Sequence, residues 1–162
     1  MKPHELLSKG LLEGYAGNSK ISNVERESFQ GKSSHLETSE GYIYHDEWFV
    51  PTRLGGGQEL VKTQGDGITR LYGGGQPSLE KLARLGISPK EIDKYLVDKL
   101  SELGDKTRLY EDCKPVPDGD WQYTYEVLMR DPNIEEVIVA SESVLYKETR
   151  VHWHPFIISP YR

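Results

Sequence analysis

The stretch from Gly41 to Gly75 constrains this chain more than any other part of it. Tyr42 to Val50 is crowded with aromatic and β-branched side chains, which suit a pleated surface. With a period of two, Tyr42, Tyr44 and Trp48 share one face, and Ile43, His45 and Phe49 the other. Large rings on both faces predict a strand that is covered on both sides or central in its sheet. Pro51 should end it, because proline cannot donate into a ladder. Gly55, Gly56 and Gly57 then read as a flexible turn. Glu59 to Thr63 reads as a second strand, Gly65-Asp66-Gly67 as a hairpin turn, and Ile68 to Tyr72 as a third strand.

A degenerate echo follows near the C-terminus: Gly119 to Leu128, residues 135 to 140, and Lys147 to Trp153. The offset is 79 from Tyr42 to Trp121 and again from Tyr44 to Tyr123; it is 80 from Arg70 to Arg150. Near-constant offsets predict duplication within a single domain spanning 1–162. Pseudo-repeat 1 covers about 1–75, a linker helix 76–87, and pseudo-repeat 2 about 88–162. The alternative is chance likeness among aromatic hairpins.

Helices are signalled by caps and spacing. Pro3 opens a first helix with an apolar stripe of Leu6, Leu7, Leu11 and Leu12, and Gly14 can stop it. Residues 16–40 are polar and read as a long loop with one short strand at most. Ser78 to Leu85 is a short helix ending at Gly86. Ser88, Pro89 and Glu91 form a capping-box start for a second, along which Ile92, Tyr95, Leu96, Leu100 and Leu103 keep helical spacing before Gly104. Thr107 to Tyr110 and Phe156 to Ile158 read as short strands. The sum is an α+β fold: two pseudo-repeats of helix plus antiparallel three- to four-stranded sheet, sharing one core.

Only 36% of residues are hydrophobic, but ten Tyr, three Trp and three Phe supply enough buried area for a core. A net charge of −6 opposes broad binding to nucleic acid or anionic membrane, which needs a basic footprint. The single Cys113 has no internal disulfide partner, and the N-terminus lacks a signal-peptide pattern. Those two features predict a cytoplasmic protein. No apolar run approaches the roughly 20 residues of a membrane span.

Candidate chemistry is sparse. His152 and His154 fall on one strand face and can clip a divalent metal, with Glu59, His45, Asp46 or Glu47 as further ligands. The alternative is a polar strand end facing solvent. No cofactor is otherwise expected. Arg70 with Tyr72, and Arg150 with His152, hold matching places in the two modules. Arginines beside rings can grip a phosphate or carboxylate and stack a planar group. A cleft between the modules would hold Arg70, Arg150, Tyr72, Trp48 and Trp121. Trp153 alternates to the face opposite Arg150 and joins only if the strand twists. The alternative pairs each arginine with a strand carboxylate such as Glu59 or Glu136. The triple glycines lack a Lys-Ser/Thr sequel or a GxGxxG pattern, so phosphate cradling is disfavoured. Residues 82–96 outline a helix-turn-helix, but Glu91 and Asp93 spoil a DNA-reading face.

Taken in order, several segments resemble a bacterial family known as domain of unknown function 5680. They are Gly14 to Gly17, Gly41 to Trp48, Gly57 to Glu59, Leu71 to Gly74, Gly119 to Tyr125, and Glu148 to His152. The family pattern ends its last strand in His-Gly-Gly, where this chain has His152, Trp153, His154 and Pro155. The resemblance implies no activity. Family members sometimes follow a regulator domain, which hints at ligand sensing.

The expected function is therefore the binding or sensing of a small anionic or planar ligand. The rivals are a metal-assisted hydrolase built on His152, His154 and Glu59, and a structural or oligomer-forming protein.

Overall fold

A computed structural model of the chain describes residues 1–14, 21–26, 29–49, 53–134 and 136–161. Three α-helices accompany one eight-stranded antiparallel sheet, as the α+β expectation required. In chain order the elements are α1 (Pro3–Glu13), β1 (Ile21–Arg26), β2 (Phe29–Glu37), β3 (Ile43–Phe49), β4 (Leu54–Lys62), β5 (Gly67–Gly75), α2 (Leu79–Leu85), α3 (Pro89–Leu103), β6 (Trp121–Arg130), β7 (Ile138–Tyr146) and β8 (Thr149–Tyr161). The strand order is β1-β2-β3-β4-β5-β8-β7-β6. Two antiparallel meanders, one from each end of the chain, thus meet at β5 and β8.

Alternation decides which side chains enter the core. On β3, Tyr44 and Asp46 are buried, whereas Ile43, His45 and Glu47 are only half covered and Phe49 is exposed. The strand is interior to its sheet, between β2 and β4, but only its Tyr44 face is fully covered. Helix α1 packs across β3, β4 and β5 and buries Leu6, Leu7 and Leu11. Helix α3 turns Ile92, Leu96 and Leu100 inward, and its Tyr95 stacks on Trp121 of β6 at 5.0 Å between ring centres. The capping box is present: Ser88 accepts from the Glu91 amide, and Glu91 accepts from the Ser88 amide.

The structure corrects four expectations. The stretch 16–40 contains the whole β1–β2 hairpin, paired from Ile21–Ser34 to Arg26–Phe29. Gly55, Gly56 and Gly57, expected as a turn, lie inside β4, where they pair with Gly74, Gly73 and Tyr72 of β5. Close backbone approach explains Gly56, Gly57, Gly74 and Gly75. A Cβ on Gly56 would stand 2.5 Å from the Tyr72 carbonyl oxygen, and one on Gly75 would stand 1.9 Å from that of Arg53. Thr107 to Tyr110 is not a strand but a loop that carries Arg108, buried and at φ 59°. The two C-terminal strands are one, β8, preceded by a turn in which Lys147 and Glu148 take positive φ. Pro51 and residue 135, the start of one expected strand, lie outside the described residues.

Candidate functional site

Two buried ion pairs sit beneath the helices. Glu59 on β4 receives the Arg70 Nε–H from β5 and, at 2.9 Å, the Tyr44 hydroxyl from β3. Glu142 on β7 receives two Arg108 donors at 2.6 and 2.7 Å and the Tyr123 hydroxyl at 2.8 Å from β6. Burial opposes the charge on Glu142, yet Arg108 and His152 together outweigh it and hold the carboxyl well below its usual range. Phe156 touches both systems, its ring centre 5.4 Å from each guanidinium carbon.

A cavity of about 230 Å³ opens beside these pairs, where α1, α3 and the sheet meet. Its sheet-side wall is bare because Gly55 faces Gly74 and Gly56 faces Gly73 across β4 and β5. Rings of Trp48, Tyr72, His154 and Phe156 form its aromatic side; Asp46, Gln76, Asp93, Arg108 and His152 supply polar groups. Arg53 also lines it.

Several of these groups are in unusual states. Burial, with the Glu59 charge adding, pushes the Asp46 carboxyl up to about 8, against the opposing hydrogen bond from Tyr72 at 2.8 Å. Burial and the neighbouring carboxylates raise the Tyr72 hydroxyl in turn. Burial, assisted by Arg108, pushes the His154 imidazole down to about 3. Asp93 is raised by burial and accepts from Gln76 Nε2 at 2.6 Å. Both ring nitrogens of His152, Nδ1 of His154 and Oε1 of Gln76 are buried with no hydrogen-bond partner. An unmade bond at a buried polar atom costs about 1–3 kcal/mol, so this concentration at one cavity calls for an occupant.

The sequence-derived candidates divide. Trp48, Tyr72, His152 and His154 line the cavity together, and Glu59 does so with both carboxylate oxygens already engaged. Arg70 donates to Glu59 and to the Arg108 carbonyl, its Nη2 is buried without a hydrogen-bond partner, and it does not line the cavity. Arg150 is exposed at the far end of β8 and does not meet Arg70. The ladder shifts register between Val144 and Leu145, so that Val144 pairs with His152 but Leu145 with Arg150. That bulge re-phases the strand, which leaves Arg150 6.0 Å from the Trp153 ring rather than on the His152 face. Trp153 is exposed, and Trp121 packs between Tyr95 and Tyr146, away from the cavity lining. The expected cleft with both arginines, Trp121 and Trp153 is therefore absent among the described residues.

Sequence reasoning missed Glu142, Arg108, Gln76 and Asp93 and used Asp46 only as a spare ligand. One signal pointed to Glu142: it falls in step with Ala140 and Val144, a charge at an apolar parity. Nothing local marks Arg108, whose partner is 34 residues away. Comparison of the chain with protein-family models, curated proteins and solved structures returned no match.

Proposed function

We propose that this protein is a small-ligand-binding domain and that the cavity beside His152 and His154 is its binding site. The carrying observation is the set of unpartnered polar atoms on His152, His154 and Gln76 that face one aromatic-walled space. Its volume of about 230 Å³ lies below the roughly 300–1,000 Å³ of sites for drug-sized molecules, so the ligand is compact. Four rings favour a planar body, and Asp46, Gln76 and the imidazoles favour a hydrogen-bonding edge. Any anionic portion would meet Arg53 rather than Arg70 or Arg150.

Thermal denaturation against a panel of compact planar metabolites tests this. At least one compound should raise the melting temperature of the wild type, and Trp48→Ala and Gln76→Ala should abolish the rise while Arg150→Ala leaves it. A panel without effect, or a rise that survives both lining variants, would overturn the reading.

The same reading includes an internal duplication, supported by the strand order on either side of β5 and β8 and by the matching Tyr44–Glu59 and Tyr123–Glu142 bonds. Superposing the β3–β5 backbone on β6–β8 should equate Tyr44 with Tyr123 and Glu59 with Glu142, which sets Arg70 against His154 and not, as the sequence offset had it, against Arg150. A best fit in another register would remove the duplication.

A further inference from the structure

The floor of the cavity holds a donor set with a more specific chemistry. Glu142 on β7 is the direct cross-strand neighbour of His154 on β8, and His152 is two residues back on the same face. One ligand atom from each of Glu142, His152 and His154 falls within 4.8 Å of the others. The His152 Nε2 stands 3.6 Å from Glu142 Oε1, too far for a hydrogen bond. From these positions we propose that Glu142, His152 and His154 bind one divalent transition-metal ion.

Three features support this beyond proximity. Both His152 nitrogens and Nδ1 of His154 are buried with no hydrogen-bond partner, so a metal would satisfy atoms that the fold leaves unsatisfied. Two imidazoles and one carboxylate suit zinc, iron, cobalt or nickel, whereas magnesium and calcium prefer an all-oxygen shell. The carboxylate is also held in place: Arg108 and Tyr123 donate to Glu142, the kind of support that fixes a ligating side chain. Both Glu142 oxygens already accept from Arg108 or Tyr123, so the two imidazoles would hold the metal mainly, with Glu142 adding the remaining lone pair of Oε1. His152 and His154 line the cavity, so the remaining coordination positions would face it, where an organic ligand could complete the shell. Metal binding itself requires no such ligand, and this inference therefore fails or survives separately from the reading above.

The test uses metal-stripped full-length protein and Zn2+ or Co2+ alone. One equivalent should bind, raise the melting temperature, and with Co2+ give the visible absorption bands of a four- or five-coordinate site. His152→Ala and His154→Ala should each weaken binding by more than the roughly 10–100-fold that loss of a supporting hydrogen bond costs. Circular dichroism should show both variants folded; should either unfold, His154→Asn takes its place. The exposed His35–His45 pair, whose Nδ1 atoms are 3.3 Å apart, is the control. Its double alanine variant should bind as the wild type does. No bound equivalent, or an equivalent lost with His35 and His45 and kept without His152 and His154, would overturn the proposal.

Discussion

Nη1 of Arg70 donates to the backbone carbonyl of Arg108 at 2.8 Å, so one buried guanidinium fixes the loop that delivers the other. Arg108 accepts a positive φ there, a conformation that non-glycine residues adopt at a cost. Two ion pairs that began on separate meanders are thereby joined.

That junction makes Arg108 critical for stability. Arg108→Ala strands the fully buried Glu142 without its cation, and breaking such a pair costs about 3–5 kcal/mol. Adding Glu142→Leu should recover part of the loss, since the orphaned charge is gone. Urea unfolding measures both. A cost below about 1 kcal/mol for the single variant would show that the pair does not hold the loop.

Gly10 is where α1 lies directly against the Tyr44 ring. A Cβ there would stand 2.1 Å from the ring's Cγ. Tyr44 is fully buried and its hydroxyl is tied to Glu59, so it has no room to retreat. Alanine gains up to about 1 kcal/mol in helix propensity, but overpacking costs about 1–3 kcal/mol. Gly10→Ala should lower the melting temperature, and a rise would mean that α1 shifts freely over β3.

How much of this was legible follows from the range of each interaction. Helix α3 was readable because Ser88, Pro89, Glu91 and the apolar spacing all act within a few residues. The hairpin β1–β2 was not, because Ile21–Arg26 is exposed along nearly its whole length and keeps no apolar alternation. Backbone pairing with β2 and the Arg26–Glu47 ion pair at 2.6 Å hold this edge strand. The Gly55–Gly57 run was misread because its reason lies across the sheet: Gly56 and Gly57 admit Tyr72, and Gly55 and Gly56 leave the cavity wall bare. His152 and His154 were visible as a pair, but their neighbour Glu142 becomes a neighbour only through the β7–β8 register. The bulge that turns Arg150 away was equally invisible, since it is a property of pairing and not of composition.

The α3 cap offers a local test. Ser88 accepts from the Glu91 amide, and its hydroxyl also donates to Glu91 at 2.7 Å. Ser88→Ala removes both bonds and should cost about 1 kcal/mol. Ser88→Asn, which caps equally well and whose amide can still donate to Glu91, should restore most of it. Thermal melts of the two variants distinguish a capping role from simple packing, for which asparagine would rescue nothing.

Asp46 predicts how stability varies with pH. Unfolded, its carboxyl titrates near 3.9; folded, burial and the Glu59 charge push it up to about 8. Between those values the native state holds a proton that the unfolded chain has released. Stability from this group is therefore complete below about pH 4, and falls as pH rises toward 8. The limiting slope for one proton is about 1.4 kcal/mol per pH unit. Asp46→Asn copies the neutral acid, and its side-chain oxygen can still accept from Tyr72, which now donates to Asp46 Oδ1. The variant should match the wild type near pH 4 and exceed it near pH 8. Every other titrating group is present in both, so the difference between the two profiles reports this carboxyl together with its interaction with Glu59. Urea midpoints taken at unit steps from pH 4 to 8 would give that difference, and parallel profiles would mean that Asp46 is ionised in the folded protein.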